Sequence, residues 1–494
     1  MSVRIYSTLT GREDELVPIH ADGVLRMYVC GMTPKYHPHV GHARLFVAMD
    51  VMRRYLLYRG YKLRFVQNFT DVDDKIIQRA ASEGRAVDAT ANAYMESYYE
   101  VMDRLGVRRA DDYPTVTGYM ERIVECIAGL VETDHAYPVD GLGDVYFDVS
   151  SFPGYGKLSH RDLNSQLVAA RKELEPGKRD PRDFALWKHA REGEPAWPSP
   201  WGRGRPGWHI ECSAMVRETL GDQIDIHGGG ADLIFPHHEN EIAQSESLTG
   251  KVPFTNHWAH AGLVVLGGGE KMAHSAENFT TLASILDRYE PLEVRYYLLA
   301  THYRSSLTFT VETDPAGDPV VRGIEDARAA LGRLRRALGP EPLDLEGPLD
   351  EPSVEAFKTA MDADFNTPDA LSVIFDLARE INSLRSRQGI RGQPDTPVPL
   401  RGPDHELPPT REYVDRRRRT VVHLLDVLGI DLHATPARGQ SSIEPYVELL
   451  LEVRRKLREI KQWALADEVR DRLSVLGVIV EDKPGGESTW RLER

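Results

Sequence analysis

GVLRMYVCGMTPKYHPHVGHARLFVAMDVMRRYLLYRGYKLRFVQNF, residues 23–69, carries the alternation that decides the fold class. Its opening, GVLRMYVC (23–30), reads as a short strand ending at Cys30. A turn bearing Pro and Gly follows. ARLFVAMDVMRRYLLYRG (43–60) has apolar residues at helical spacing and stops at Gly60. YKLRFVQNF (61–69) is the next strand, and residues 75–105 continue in a helical pattern. Strand, helix, strand at this spacing predicts a βαβ unit in a mostly parallel sheet.

Outward from this unit the pattern breaks over 134–206. AYPVDGLGDVYFDVSSFPGYGKL looks like hairpins, and REGEPAWPSPWGRGRPGW is dense in Pro, Gly and Trp. The segment reads as an insertion between two halves of one nucleotide-binding domain. The α/β pattern resumes with WHIECSAMVRETLG (helix), DQIDIHGGG (strand, then a Gly-rich turn) and HHENEIAQSESLTG (helix closed by Gly250). From about 280 the chain is mostly helical, which suggests an antiparallel bundle. ATPARGQSS (434–442) reads as a linker before a last unit of two helices, the strand VIVED and a terminal turn with TWRL.

Composition bounds the reading. At about 100–200 residues per domain, 494 residues predict about three domains. The net charge is −15, from 61 Lys and Arg against 76 Asp and Glu. Taken alone, that argues against a nucleic-acid partner. A net value does not locate the charges, however, and the last 54 residues carry 10 basic and 11 acidic side chains. No apolar run reaches the roughly 18 residues of a membrane helix. The first residues, MSVRIYSTLTGREDEL, are charged where a secretory signal is apolar, so a cytoplasmic protein is expected. Three cysteines, Cys30, Cys126 and Cys212, make no disulfide framework.

Four residues far apart in sequence share the chemistry of a metal site. His237 and Glu241 are four apart, on one face if helical. Cys30 ends a strand and Cys212 falls in the first turn of a helix, and ligands of open α/β sheets gather at the carboxyl ends of strands. Two thiolates, an imidazole and a carboxylate suit zinc. Two core cysteines and a solvated HHENE face would produce the same pattern. Cys126, in the apolar ERIVECIAGL, reads as core.

Three segments suit phosphate. His39-Val40-Gly41-His42 opens a helix, whose free N–H groups and dipole attract anions. Gly41 lets a flat ring approach the backbone. GGGEKMAHSAENF (267–279) sets a Gly-rich turn before Lys271, and DIHGGGAD (225–232) is a second such turn. Each alone is equally a capped helix start or a surface hairpin. In NFTDVDDK (68–75), Thr70 and Asp73 stand at capping-box spacing.

Ten blocks in order carry a resemblance: YVCGMTPKYHPHVGHAR, QNFTDVDDKII, KRDPRDFALWK, GWHIECSAM, DIHGGGADLIFPHHENEIAQSE, EKMAHSAENF, THYRSSL, WALADEVRDRL, GVIVED and TWR. Over nearly its whole length the chain resembles the cysteinyl-tRNA synthetases, a family of class I aminoacyl-tRNA synthetases. The resemblance implies an α/β fold: a Rossmann-type catalytic core in two halves, 1–133 and 207–266, split by a connective insertion at 134–206. It implies a stem-contact segment at 267–320, a tRNA-binding helical bundle at 321–433 and an anticodon-binding module at 443–494. It implies zinc, one per subunit, on Cys30, Cys212, His237 and Glu241. HVGH stands for the family's HIGH signature and KMAHS (271–275) for its KMSKS loop. The catalytic residues implied are His39, His42 and Lys271. Gly41 and His274 join these three in binding ATP with Mg²⁺. Gly31, Thr33, Thr70, Trp208 and Asp232 are implied for the cysteine pocket, and Arg458, Trp463, Asp467 and Asp482 for the anticodon. The partners implied are L-cysteine, ATP and tRNA-Cys, with no membrane, and a monomer is expected.

The KMAHS run departs from the family's pattern. His274 replaces the second lysine and Glu277 a glycine, so a mostly neutral imidazole stands where a permanent cation is usual. Three basic runs, 321–338, Arg416–Arg419 and 454–461, lie in the half the resemblance gives to tRNA. Such runs are ordinarily solvated helix faces. Trp463 and Asp467 share a helix face, where an indole can stack an unpaired base and a carboxylate can accept from an exocyclic amine. Trp463 could equally anchor helix packing. Two other functions fit parts of the chain. A ligase joining cysteine to a glucosaminyl-inositol resembles the same core but lacks the anticodon module. A tRNA-binding or cysteine-sensing paralogue would explain the altered KMAHS loop.

Overall fold

The structure is a computed structural model describing residues 2–161, 176–267, 281–314, 316–387, 411–432, 444–475, 478–482 and 488–492. Contacts divide the chain into two units, Met1–Thr435 and Pro436–Arg494. At the centre of the first is a parallel sheet of β1 (Val24–Val29), β2 (Lys62–Gln67), β3 (Ile224–Gly230) and β4 (Thr255–Ala261), in the spatial order β4-β3-β1-β2. In register, Val29 lies beside Gln67 on one flank and Gly228 on the other. Helix α1 (Val40–Tyr58) makes the crossover from β1 to β2. Parallel strands are covered on both faces, and Leu25, Met27, Val29, Phe65, Val66, Ile224 and Ile226 are all buried.

The helical stretch after β2 is two helices, Asp74–Glu83 and Val87–Arg104, because Gly84 takes a left-handed φ of 63° and closes the first. Asp73 caps that helix itself, accepting from the Lys75 N–H. The capping-box reading of Thr70 is therefore overturned: Thr70 lies outside the helix. The Gly-rich turn expected at 228–230 is instead the last part of β3. A Cβ on Gly228 would lie 2.8 Å from Met49 Sδ, and one on Gly229 2.5 Å from His238 Cε1. The glycines let α1 and the His238 turn press directly onto the sheet.

Between Ala136 and Pro206 four short strands (Ala136–Pro138, Val145–Phe147, Phe184–His189, Gly204–Pro206) form a consecutive antiparallel sheet. Helix α2 (Trp208–Leu220) then leads into β3, and α3 (Glu239–Thr249) into β4. Cys212 falls just past the first turn of α2. Toward the C-terminus of this unit, helices Arg322–Leu338, Glu351–Asp362, Thr367–Arg387 and Arg411–Val427 share a core with the sheet domain, from Val3 and Phe46 to Leu331, Ile374 and Leu424.

The second unit packs helices Glu444–Glu459 and Trp463–Val475 with a hairpin, Val478–Asp482 and Ser488–Leu492, over a small core of Val447, Leu473 and Val478. Among the described residues, no helix is long and apolar enough to cross a membrane.

Candidate active site

The carboxyl ends of the parallel strands open into a cleft of about 960 Å³. Its lining includes Cys30, Gly31, Thr33, His39, Gly41, His42, Trp208 and Asp232, so eight residues proposed from sequence meet in one space. Their convergence follows from topology. β1 ends at the Cys30 loop, α1 begins beside it, and β3 emptying into Asp232 lies next to β1.

Cys30, Cys212, His237 and Glu241 gather at the base, each almost wholly buried, with donor atoms within 4.8 Å of one another. Cys30 Sγ is 3.6 Å from Cys212 Sγ, 3.5 Å from His237 Nε2 and 3.5 Å from Glu241 Oε1. A tetrahedral zinc at the usual bond lengths needs sulfurs about 3.8 Å apart, and sulfur about 3.6 Å from nitrogen or oxygen. The donor set and its spacing therefore fit zinc. A second grouping replaces Cys212 and His237 by His227 and His238. That set offers one thiolate where the first offers two, so the first is the better match to zinc.

His237 and Glu241 lie on one face as the spacing suggested: the wide helical turn Ile234–His238 runs directly into α3, and His237 Nε2 reaches Glu241 Oε1 at 3.0 Å. The Cys30 thiol donates to Cys212 and, with His237, holds the Cys212 thiol down to about 6. Burial pushes Cys30 up. Burial works against charge on His237, yet Cys212 and Glu241 push it up to about 10. Burial likewise opposes Glu241, which His227 and His237 hold at about 2. Thiolate and carboxylate outweigh the one imidazolium in a dry pocket, and a divalent cation would offset that negative charge and displace the remaining protons.

A layer of histidines that sequence reasoning missed surrounds the cluster. His209 Nδ1 meets His237 Nδ1 at 3.0 Å. His238 Nδ1 meets His260 Nε2 at 2.8 Å, and His260 Nδ1 meets Thr8 Oγ1 at 2.7 Å. Burial holds His209 and His238 well below the usual imidazole range and His260 at about 3, so these rings are neutral spacers. Their only signal in sequence was four histidines scattered over WHIE, DIHGGG, PHHE and HWAHA, which reads as core.

At the mouth, His39 and His42 stack with ring centroids 3.9 Å apart. His39 caps α1: its Nδ1 accepts from the Gly41 N–H at 3.0 Å, while His42 Nδ1 accepts from the His39 N–H at 3.2 Å. With both Nδ1 atoms accepting, the neutral rings carry their protons on Nε2. Gly41 is required there, since a Cβ would lie 2.7 Å from His39 Cε1. Gly31 serves the backbone: its Cβ would lie 1.6 Å from Asn68 O, and its N–H donates to Asn68 Oδ1 at 2.8 Å. Trp208 is 39% exposed, its ring 4.4 Å from His237. Thr70 is buried and is not among the residues lining the cleft; its hydroxyl donates to Glu211 at 3.1 Å. Lys35 and Lys75, which the sequence reading passed over, also line the cleft. Lys271 and His274 lie outside the described residues.

The basic runs divide. Arg418 and Arg419 are buried. Arg418 donates to the carbonyls of Leu338 and Glu341 and to Asp415, and Arg419 to Glu412. In the 321–338 run, Arg328 pairs with Glu293 and Glu325, and Arg335 with Glu290. Arg418 and Arg419 thus join segments, whereas the five arginines of the 321–338 run are all exposed, as on a solvated face, with Arg328 and Arg335 pairing at its edge. In the second unit, Arg454 is buried against Ala466 O and Ser488. Arg458 lies 5.9 Å over the Trp463 ring, which is 55% exposed. Asp467 pairs with Arg470 at 3.4 Å. Asp482 ends a strand opposite Ser488, and its side chain is outside the described residues.

A parallel sheet split by an insertion, a histidine-capped helix and a cleft at the strand ends define a class I aminoacyl-tRNA synthetase. A family model described as the class I (C) tRNA synthetase catalytic domain matches residues 16–314. The DALR domain model matches 356–433, and the cysteinyl-tRNA ligase anticodon binding domain 441–491. A cysteine–tRNA ligase of Dehalococcoides mccartyi is 42% identical over the whole of both chains. Those of Heliobacterium modesticaldum and Sodalis glossinidius are 44% and 43% identical over 99% of this chain and at least 99% of theirs. The chain belongs to the cysteine–tRNA ligase family. Mycobacterium tuberculosis methionyl-tRNA synthetase in complex with methionyl-adenylate shares the fold at a TM-score of 0.54 and 17% identity, over 82% of this chain and 90% of that one.

Proposed function

We propose that this protein activates L-cysteine with ATP and transfers it to the 3′-terminal adenosine of tRNA-Cys. The observation that carries the reading is the buried Cys30, Cys212, His237 and Glu241 cluster at the base of the cleft that His39 and His42 border. In the first step the cysteine carboxylate attacks the α-phosphorus of ATP, and the bond to pyrophosphate breaks. In the second, a ribose hydroxyl attacks the acyl carbon, AMP leaves and the hydroxyl proton is lost. Both steps depend on positioning and on charge placed at phosphate oxygens.

His39 and His42 aim Nε2–H donors where those oxygens lie, beside the positive end of α1. Lys271 and His274 would supply positive charge toward the pyrophosphate, and Mg²⁺ accompanying ATP would offset phosphate charge. Gly31, Thr33, Trp208 and Asp232 border the cysteine, and Thr70 supports the floor through Glu211. Cys30, Cys212, His237 and Glu241 would hold one zinc, which supplies a Lewis acid that favours a thiolate over serine's hydroxyl. A pocket without such a ligand separates near-isosteres by only about 10–200-fold. Arg458, Trp463, Asp467 and Asp482 are the proposed anticodon contacts.

Cysteine-dependent ATP–pyrophosphate exchange, with serine as the control, followed by charging of a tRNA-Cys transcript, tests the proposal. Exchange with cysteine alone and charging of the transcript are the expected results. Exchange without charging would favour a small acceptor such as an amino sugar. Neither reaction would leave a binding or sensing paralogue.

A further inference from the structure

Arg44 is buried in the second turn of α1, two residues past His42, and faces no carboxylate. Its guanidinium donates to four backbone carbonyls of one turn: Leu298, Thr301 at 3.0 Å, His302 at 2.5 Å and Ser305 at 3.3 Å. Leu298 lies in the last turn of the helix Pro291–Leu299 and the other three follow it; the C-terminal carbonyls of a helix lack intrahelical partners and carry the negative end of its dipole. Burial brings Arg44 down only to about 10, so it stays cationic at neutral pH.

The turn that Arg44 holds backs one wall of the cleft. Gly262, Leu263 and Val264 line the cleft. The Gly262 N–H donates to Tyr303 O at 2.7 Å, and the Leu307 N–H to Leu263 O at 2.9 Å. Val264 pairs with Leu307 in a short parallel ladder. A Cβ on Gly262 would lie 2.3 Å from Ser305 O, so wall and turn are in backbone contact. One guanidinium therefore joins the helix that carries His39 and His42 to the turn behind Gly262–Val264, a wall of the same cleft.

We propose that Arg44 is a positioning residue for the nucleotide: by tying the Leu298–Ser305 turn to α1, it sets the gap between the His39–His42 cap and the Gly262–Val264 wall, into which ATP fits. The inference rests on the proposed ligase reading and names a residue that reading does not use. The zinc cluster lies on other elements, so the effect belongs to ATP and not to cysteine.

The test is cysteine-dependent ATP–pyrophosphate exchange in the full chain. Arg44→Lys keeps the charge but cannot span four carbonyls. It is expected to raise KM for ATP about tenfold, since small misplacements near reacting groups carry effects of this size. KM for cysteine and zinc content stay within about twofold of the wild type. Gly262→Ala, which presses the same wall from the other side, raises KM for ATP similarly. The double variant shows less than the product of the two effects. The proposal is overturned if KM for ATP stays within about twofold of wild type, if both KM values rise together, or if the effects multiply. Should Arg44→Lys fail to fold, Gly262→Ala decides alone: an unchanged KM for ATP overturns the proposal. No exchange by the wild-type chain would instead remove the ligase reading.

Discussion

Cys30, Cys212, His237 and Glu241 are each no more than 3% exposed, whereas Trp463, the candidate base-stacking residue of the second unit, is 55% exposed. The first group sits beneath two extensive cores and a layer of neutral histidines. The second rests on a unit whose buried apolar residues, among those described, are Val447, Ala466, Leu473 and Val478. Metal ligation and adenylate chemistry need a dry, rigid surround, because charges placed there act through a low dielectric and must not reorganise. Reading an unpaired base needs a flat exposed ring and a nearby cation. The same contrast runs through the arginines: Arg418 is a buried strut, while Arg458 lies over Trp463 in the terminal unit.

The contrast breaks most visibly at Cys212. Cys212→Ser is expected to lower zinc affinity by at least about 100-fold, read by metal content after chelator challenge, and to remove cysteine-dependent exchange. Full zinc stoichiometry in this variant would end the four-ligand assignment. Gly41→Ala drives a methyl into the His39 ring and is expected to slow adenylate formation about 100-fold with zinc retained. An unchanged rate would remove His39 from the phosphate site.

Arg418→Met removes the donor to the Glu341 carbonyl and the shorter of two donors to the Leu338 carbonyl, and is expected to lower stability by about 2–3 kcal/mol. Arg458→Met should stay within about 0.5 kcal/mol. Equal shifts in the two melting curves would erase the distinction between strut and reader. Trp463→Ala is expected to raise KM for tRNA about tenfold, as loss of one stacking contact does, while exchange without tRNA is unchanged. A tRNA KM that stays constant would return Trp463 to packing. Smallest is His274→Lys, expected to speed adenylate formation a few-fold at pH 8 and less at pH 6. Imidazole gains its proton on acidification, whereas a lysine is charged throughout.

Legibility followed the range of the forces involved. The β1–α1–β2 unit was plain in residues 23–69 because hydrophobic periodicity is local. The split of 75–105 was not, since Gly84 marks the break and nothing else in the pattern does. HVGH stood out as a helix start, and its two rings do cap α1. The four candidate metal ligands were legible only as types and through resemblance, because Cys30 and Cys212 are brought together by the crossing of separate βα units. The histidine layer and the Lys35 and Lys75 lining were missed, since neither has a spacing of its own.

By itself the sequence determined the order of elements, the membership in one family through its blocks, and which residue types were available for metal and phosphate. Only the tertiary structure decided that a wide helical turn at Ile234–His238 opens the Glu241 helix, that Gly228 and Gly229 of β3 serve close packing, and that Arg418 and Arg419 are buried. The reason is physical. Periodicity and capping act within a few residues, whereas burial and side-chain ligation depend on which distant backbones the packed core holds together.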